Sequence, residues 1–152
     1  MARHKNAERQ HLIAPIDETT PEVVPTEFLP LETYITSIEA ANTEEAESVA
    51  YYHGDGTPEQ DVLSIAKGYN VTGERFYGDA AQDLIAGMEG KLGAERKLWH
   101  KVIRADGEKQ FVGIATVTEI VADGGEAGVN EAFSNTITYD EYPEVSDVVP
   151  GG

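Results

Sequence analysis

Tyr51-Tyr52-His53-Gly54-Asp55-Gly56-Thr57-Pro58-Glu59-Gln60-Asp61 is a turn-rich acidic run that opens onto an alternating segment, residues 62–72, and then onto the best amphipathic helix pattern in the chain. Gly54, Gly56 and Pro58 demand a turn at its centre, because glycine supplies positive φ and proline fixes its own. In residues 62–72, Leu63, Ile65, Tyr69 and Val71 share one parity while Ser64, Asn70 and Thr72 are polar, and Lys67 breaks the alternation once. This predicts a strand with one solvated face, interrupted near Gly68. Asp79 stands as a helix N-cap ahead of Gln82, and Ala81, Leu84, Ile85, Met88 and Leu92 follow at helical spacing. A helix of about three turns is expected, covering one open face or end of a sheet. Gly87, Gly90 and Gly93 weaken its far end.

Working toward the N-terminus, Asn42-Thr43-Glu44-Glu45-Ala46-Glu47 is too charged for a core and reads as loop, so residues 42–61 are expected to form one long polar excursion. Residues 31–41 suit a strand, with Tyr34, Thr36 and Ile38 on one side and Ile35 and Ser37 on the other. Pro15, Pro21, Pro25 and Pro30 interrupt every possible helix before that. Residues 1–30 therefore read as an extended arm. Its Leu12, Ile13, Ile16, Val23, Val24, Phe28 and Leu29 dock on the domain, on a neighbour, or as an edge strand of the same subunit.

Toward the C-terminus, residues 97–104 and 108–121 read as two strands joined by Ala105-Asp106-Gly107, a hairpin turn signal. Trp99 and Ile103 share a face, as do Val112, Ile114, Thr116, Thr118 and Ile120. After the break at Asp123-Gly124-Gly125-Glu126-Ala127-Gly128, Phe133, Asn135, Ile137 and Tyr139 line one side of a last strand, which Pro143 ends. Residues 145–152 read as a flexible tail. The sum is a mainly β chain, an antiparallel β-sandwich or barrel spanning residues 31–144 with one flanking α-helix.

A chain of 152 residues fits one domain that buries roughly 70% of its unfolded surface. The formal charge of −17 is large for a self-sufficient globule, since like charges repel the compact state. The acid is uneven: after Arg9 no Lys or Arg occurs until Lys67, and none follows Lys109. Gripping nucleic acid requires a basic face, which this composition does not supply. There is no cysteine, so disulfides and thiolate chemistry are excluded. Residues 1–10 lack the apolar run of a signal peptide, and no stretch approaches the roughly 20 apolar residues of a membrane span. No membrane insertion is expected, and the cytoplasm is the default site of synthesis.

Catalysis finds no support. His4, His11, His53 and His100 have no metal-ligand spacing. Residues 55–61 lack the pattern of a calcium loop, residues 124–128 lack the Lys-Ser or Lys-Thr of a phosphate loop, and Ser48, Ser64 and Ser134 sit in no nucleophile motif. The expectation is a protein that is not an enzyme, with no catalytic, cofactor or metal site.

The order of parts resembles the major tail tube proteins of long-tailed, siphovirus-like bacteriophages. It is carried by Tyr51-Tyr52-His53-Gly54-Asp55-Gly56-Thr57-Pro58-Glu59, Ala66-Lys67-Gly68-Tyr69, Gly73 and the Asp79-Ala80-Ala81-Gln82 helix start. Trp99, Asp106-Gly107, Gly113-Ile114-Ala115-Thr116-Val117-Thr118-Glu119-Ile120 and the run from Phe133 to Pro143 continue it. The resemblance implies a virion structural protein that forms hexameric rings stacked into a tail tube, a conduit for DNA ejection. Six copies at −17 each would carry −102, and an inner face rich in carboxylates would let double-stranded DNA pass without specific binding. Residues 42–61 would reach the adjacent ring, with Glu44, Glu45, Glu47, Tyr51, Tyr52, His53 and Asp55 as contact residues and Phe28 and Leu29 of the arm beside them. The partners implied are tape measure, tail tip and tail terminator proteins, and the location is the virion tail after assembly in the host bacterial cytoplasm. Two alternatives stand beside it: the tube subunit of a contractile secretion machine, and a small acidic binding module such as a virion decoration or adhesion domain.

Overall fold

The computed structural model describes residues 3–148. Ten strands are seen there: β1 (Gln10–Ala14), β2 (Leu29–Pro30), β3 (Ile35–Ala40), β4 (Thr43–Val49), β5 (Glu59–Ala66), β6 (Gly68–Glu74), β7 (Lys97–Ile103), β8 (Lys109–Val121), β9 (Ala132–Tyr139) and β10 (Glu144–Asp147). One helix, α1 (Ala80–Ala86), separates β6 from β7, and short 3-10 turns precede β1 and β7.

The spine is β8, whose Val, Ile and Thr residues suit a long pleated strand. One edge pairs with β7; along the other edge β9 and then β10 lie end to end, both antiparallel to β8, while residues 140–143 step out between them. The main sheet runs β2-β1-β7-β8-β9-β6-β3. It curls until its ends approach: Arg9, at the start of β1, donates from Nη2 to the carbonyl of Ile38 in β3 at 3.1 Å. A shift of register between Thr118 and Val121, with Glu119 at φ +53°, sharpens the bend in β8. The mainly β, antiparallel expectation with one helix holds: eight strands form a single curled sheet, and β4 and β5 pair apart from it.

Ile13, Tyr69, Val71, Leu98, Val102, Ala115, Val117, Phe133, Ile137 and Tyr139 fill the concave face, and Ala81 and Ile85 of α1, with Met88 just beyond it, close over it. Phe133, Asn135, Ile137 and Tyr139 share the buried side of β9 as their alternation requires. In β8 the buried positions are Ala115 and Val117, so the side bearing Thr116 and Thr118 is the convex one.

Asp79 caps α1 by accepting from the Gln82 amide at 3.2 Å. Asp79→Ala is expected to cost about 1 kcal/mol, read as a lowered denaturant midpoint. The helix ends after seven residues, and the chain continues through 3-10-type bonds from Met88 N–H to Ile85 O and Glu89 N–H to Ala86 O. Glycine after glycine removes the side-chain packing a third turn would need, and Leu92 is left exposed.

Three segment boundaries differ from the sequence reading. The extended arm over residues 1–30 is not separate from the domain: β1 lies inside the sheet between β2 and β7, with Ile13 and Ala14 fully buried. The proline rule acts only after Pro15, leaving His11-Leu12-Ile13-Ala14 free to pair. Residues 42–61 are not a loop but most of a hairpin, β4–β5. The expected flexible tail, residues 145–152, is partly a strand: residues 145–147 belong to β10, which pairs with β8, while residues 149–152 lie outside the described residues.

Two turns also differ. Only Gly107 of the Asp106-Gly107 turn has positive φ, and its N–H bonds Arg104 O, so the hairpin closes through an ordinary turn and a glycine bulge. At the start of β3, Tyr34 takes φ +56° and a register shift follows between Ile35 and Ser37. Ile35 and Ile38 thereby both pack on the core, while Tyr34 points outward. Gly73 permits this turn, since a Cβ there would lie 2.4 Å from Tyr34 O and 2.8 Å from Ile35 Cα. Gly73→Ala is expected to cost about 2 kcal/mol, with a lowered denaturant midpoint at unchanged slope.

Candidate assembly interface

The β4–β5 hairpin leaves the body between β3 and β6. Its base is fixed where Ala41 N–H bonds Gly68 O and Asn42 Oδ1 accepts from Gly68 N–H. From Thr43 opposite Ala66 to Val49 opposite Glu59, the two strands pair with each other and with no strand of the main sheet. Every residue from Thr43 to Ser48 and from Glu59 to Ile65 is exposed. Leu63 and Ile65, which share parity with buried Tyr69 and Val71, are therefore uncovered: Val62 and Leu63 are each 61% exposed and Ile65 49%.

Such an element is poorly supported on its own. A lone two-stranded hairpin is marginal in water. This one also sets Glu47 directly opposite Asp61, a like-charge pair that weakens the ladder. Six acids and no Lys or Arg lie between Thr43 and Ala66. Val62, Leu63 and Ile65 are exposed along β5, as are Tyr51 and Tyr52 at the tip, and apolar exposure concentrated on one element marks a contact surface.

At the tip, the Tyr51 and His53 rings lie 5.3 Å apart, Gly54 N–H bonds Tyr51 O, and Gly56 takes φ +89°. Asp55 accepts from the Thr57 amide at 2.9 Å, and the Thr57 hydroxyl and amide hold its carboxyl below the usual range. Tyr52 is fully exposed. Glu44, Glu45, Glu47, Tyr51, Tyr52, His53 and Asp55 are thus brought together on one projection. Phe28 and Leu29 are not with them: they lie at the β2 end of the strand order, where Leu29 faces Ile13 and Lys101 sits over the Phe28 ring at 5.3 Å.

A second surface escaped the sequence reading. On the convex side of β8, β9, β6 and β3, Thr118, Thr136, Asn70 and Glu39 stand in register across four strands, beside Ser134, Thr72 and Ser37 and beside Thr116 and Thr138. Thr136 Oγ1 donates to Asn70 Oδ1 at 2.8 Å. Lys97 is the base at its margin, and it is paired with Asp140. The available signal was the repeated Thr at every second position of β8 and β9, which strand propensity alone already explained.

Among the described residues no cluster of His, Asp or Glu could hold a metal ion, and no helix is long and apolar enough to cross a membrane. An open groove of about 1220 Å³ runs between α1, residues 15–22 and residues 140–144, floored by Trp99, Val112 and Ile114. His11 and His100, scattered in sequence, meet inside the sheet.

No protein-family profile matches the chain, and no curated protein does. Solved structures do. A chain from the tail of an empty gene transfer agent particle, refined helically with C6 symmetry, superposes with a TM-score of 0.68 at 12% identity, over 97% of this chain and 100% of that one. A chain from the virion of the native gene transfer agent particle gives 0.66 at 10% identity, with the same coverage. A chain from the sheath–tube complex of an extracellular contractile injection system in its extended state gives 0.57 at 12% identity, over 96% and 93%. The protein has the fold found in these phage-like tails and injection tubes, a likeness not confined to long-tailed phages.

Proposed function

We propose that the protein is a tail tube subunit: a virion structural protein that assembles as hexameric rings stacked into a hollow tube and performs no catalysis. The observation that carries this reading is the unsupported β4–β5 hairpin on a body with the fold of phage-like tail chains. The C6 symmetry of the first of those tails supports the ring number. The hairpin would cover its apolar side chains against a copy in the adjacent ring.

The convex Thr/Ser/Asn face is the candidate lumen lining. The Thr136 and Thr116 hydroxyls are engaged with neighbouring side chains, the carboxylates of the face are Glu39 and Glu119, and its marginal base is neutralised by Asp140. A DNA phosphate passing such a wall meets no cation to hold it. The wall is more neutral than the carboxylate-rich face expected from composition. Tape measure, tail tip and tail terminator proteins would be the partners, and the virion tail the location, after assembly in the host cytoplasm. Likeness to a contractile injection tube supports a second machine with the same subunit role.

Light scattering over a concentration series tests the oligomer. Six chains of 16.5 kDa give rings near 99 kDa, and larger masses should rise in steps of that size. Raising salt to 1 M shortens the screening length to about 3 Å and is expected to favour assembly by screening the net −17 of each chain. A single species of one-chain mass under all these conditions would contradict the reading.

A further inference from the structure

A connected set of polar and aromatic side chains bridges the seam of the curled sheet. Arg9 donates from Nε to His11 Nε2 at 2.8 Å and from Nη2 to Ile38 O at 3.1 Å, linking β1 to β3, which share no backbone pairing. His11 Nδ1 lies 3.4 Å from His100 Nε2, and the two rings stack at 5.5 Å with 18° between planes. His100 stacks in turn on Tyr139, and Tyr69 meets His11 edge-on at 4.8 Å. His11 is 6% exposed and His100 not at all.

These contacts fix both tautomers. Arginine has only donors, so His11 Nε2 must be bare and its proton must sit on Nδ1. That proton points at His100 Nε2, which must also be bare, placing the second ring's proton on Nδ1. His100 Nδ1 is buried without a partner. A further proton on either ring would have to displace a donor already in place. The charged or titratable groups around the pair are Arg9 from the start of β1, Lys67 ahead of β6, Tyr69 of β6 and Tyr139 of β9, with Tyr142 beyond Tyr69; no carboxylate acts on either ring.

We propose that the Arg9–His11–His100 relay is an acid-released clasp, which holds β1 across the seam while both rings are neutral and frees β1, with β2, when they are protonated. Burial, then Arg9 and Lys67, lowers His11 to about 3, and complete burial pushes His100 well down. Both rings return to about 6.5 when unfolded, so the unfolded state binds more protons below that pH. The clasp's stabilisation is therefore complete above about pH 6.5 and is lost as pH falls toward 3.

Trp99, the single tryptophan, lies opposite Ala14 of β1 and reports the release. In the full chain titrated from pH 8 to 3.5, its emission should shift to the red before the far-UV strand signal falls, with uptake of two protons. His11→Phe/His100→Phe keeps the stacked rings and removes both titrations. It should lower the midpoint by at least one pH unit and abolish the two-proton steepness. An unchanged midpoint in that variant would overturn the clasp. Long-range 1H–15N spectra of the unmodified protein test it without substitution: both rings should be the Nδ1–H tautomer at pH 7. An Nε2–H tautomer in either, or protonation of both near pH 6.5 with no change in Trp99 emission, would overturn it.

Discussion

Replacing residues 44–65 by a short Gly-Ser link is expected to leave the barrel folded and to abolish tube formation. Thr43 and Ala66 are directly paired, so a turn of two to four residues joins them without strain. No residue between them contributes to the core. The variant should keep the Trp99 emission of the parent and its thermal midpoint within a few degrees. Assembly should respond far more strongly. Val62, Leu63, Ile65, Tyr51 and Tyr52 are the exposed apolar side chains removed, and burying such side chains is worth about 1.5–3 kcal/mol each. A loss of the order of a thousandfold in the association constant between rings follows even if only three of them are covered. Tubes of normal abundance from this variant would remove the role given to the hairpin.

The second large effect is expected at Gln82, which the sequence presents as the third residue of a cap and the structure as a buried bracket. Its Oε1 accepts from Phe76 N–H at 2.8 Å, and its Nε2 donates to Thr33 O and Glu74 O, both at 2.9 Å. One side chain thus satisfies three backbone groups where β6 leaves the sheet for α1. Gln82→Leu fills the same space and strands all three. At about 1–3 kcal/mol for each unsatisfied group, a loss of about 4 kcal/mol is expected, a large part of the 5–15 kcal/mol typical of a domain. Denaturant unfolding measures it. A loss under about 1 kcal/mol would mean that water reaches those groups and that the bracket does not hold α1.

Strand patterns with one buried face were legible. The alternation of Phe133, Asn135, Ile137 and Tyr139, the β7–β8 hairpin and the Asp79 cap each follow from local chemistry that tertiary packing did not override. The hairpin was hidden because its glutamates read as loop, and periodicity offers no buried face to a strand pair that packs on nothing in its own chain. The parity of Leu63, Ile65, Tyr69 and Val71 was real, but Lys67 marks the point where the strand leaves the body, so one set of side chains is buried and the other bare. Burial of β1 was obscured by the prolines that follow it. The meeting of His11 with His100 spans 89 positions and depends on the curl of the sheet, which no local pattern encodes. The acidic run stands out from the body as a hairpin rather than a loop, while Phe28 and Leu29, joined to it by hydrophobicity alone, lie elsewhere.

The central claim, that this chain builds a tube, is tested most directly by negative-stain electron microscopy of the purified protein across a concentration series, with and without tail-tip complexes as initiators. Six-fold rings stacked into hollow tubes of uniform width are the expected result. Particles that remain single subunits at every concentration, even on added initiators, would contradict it.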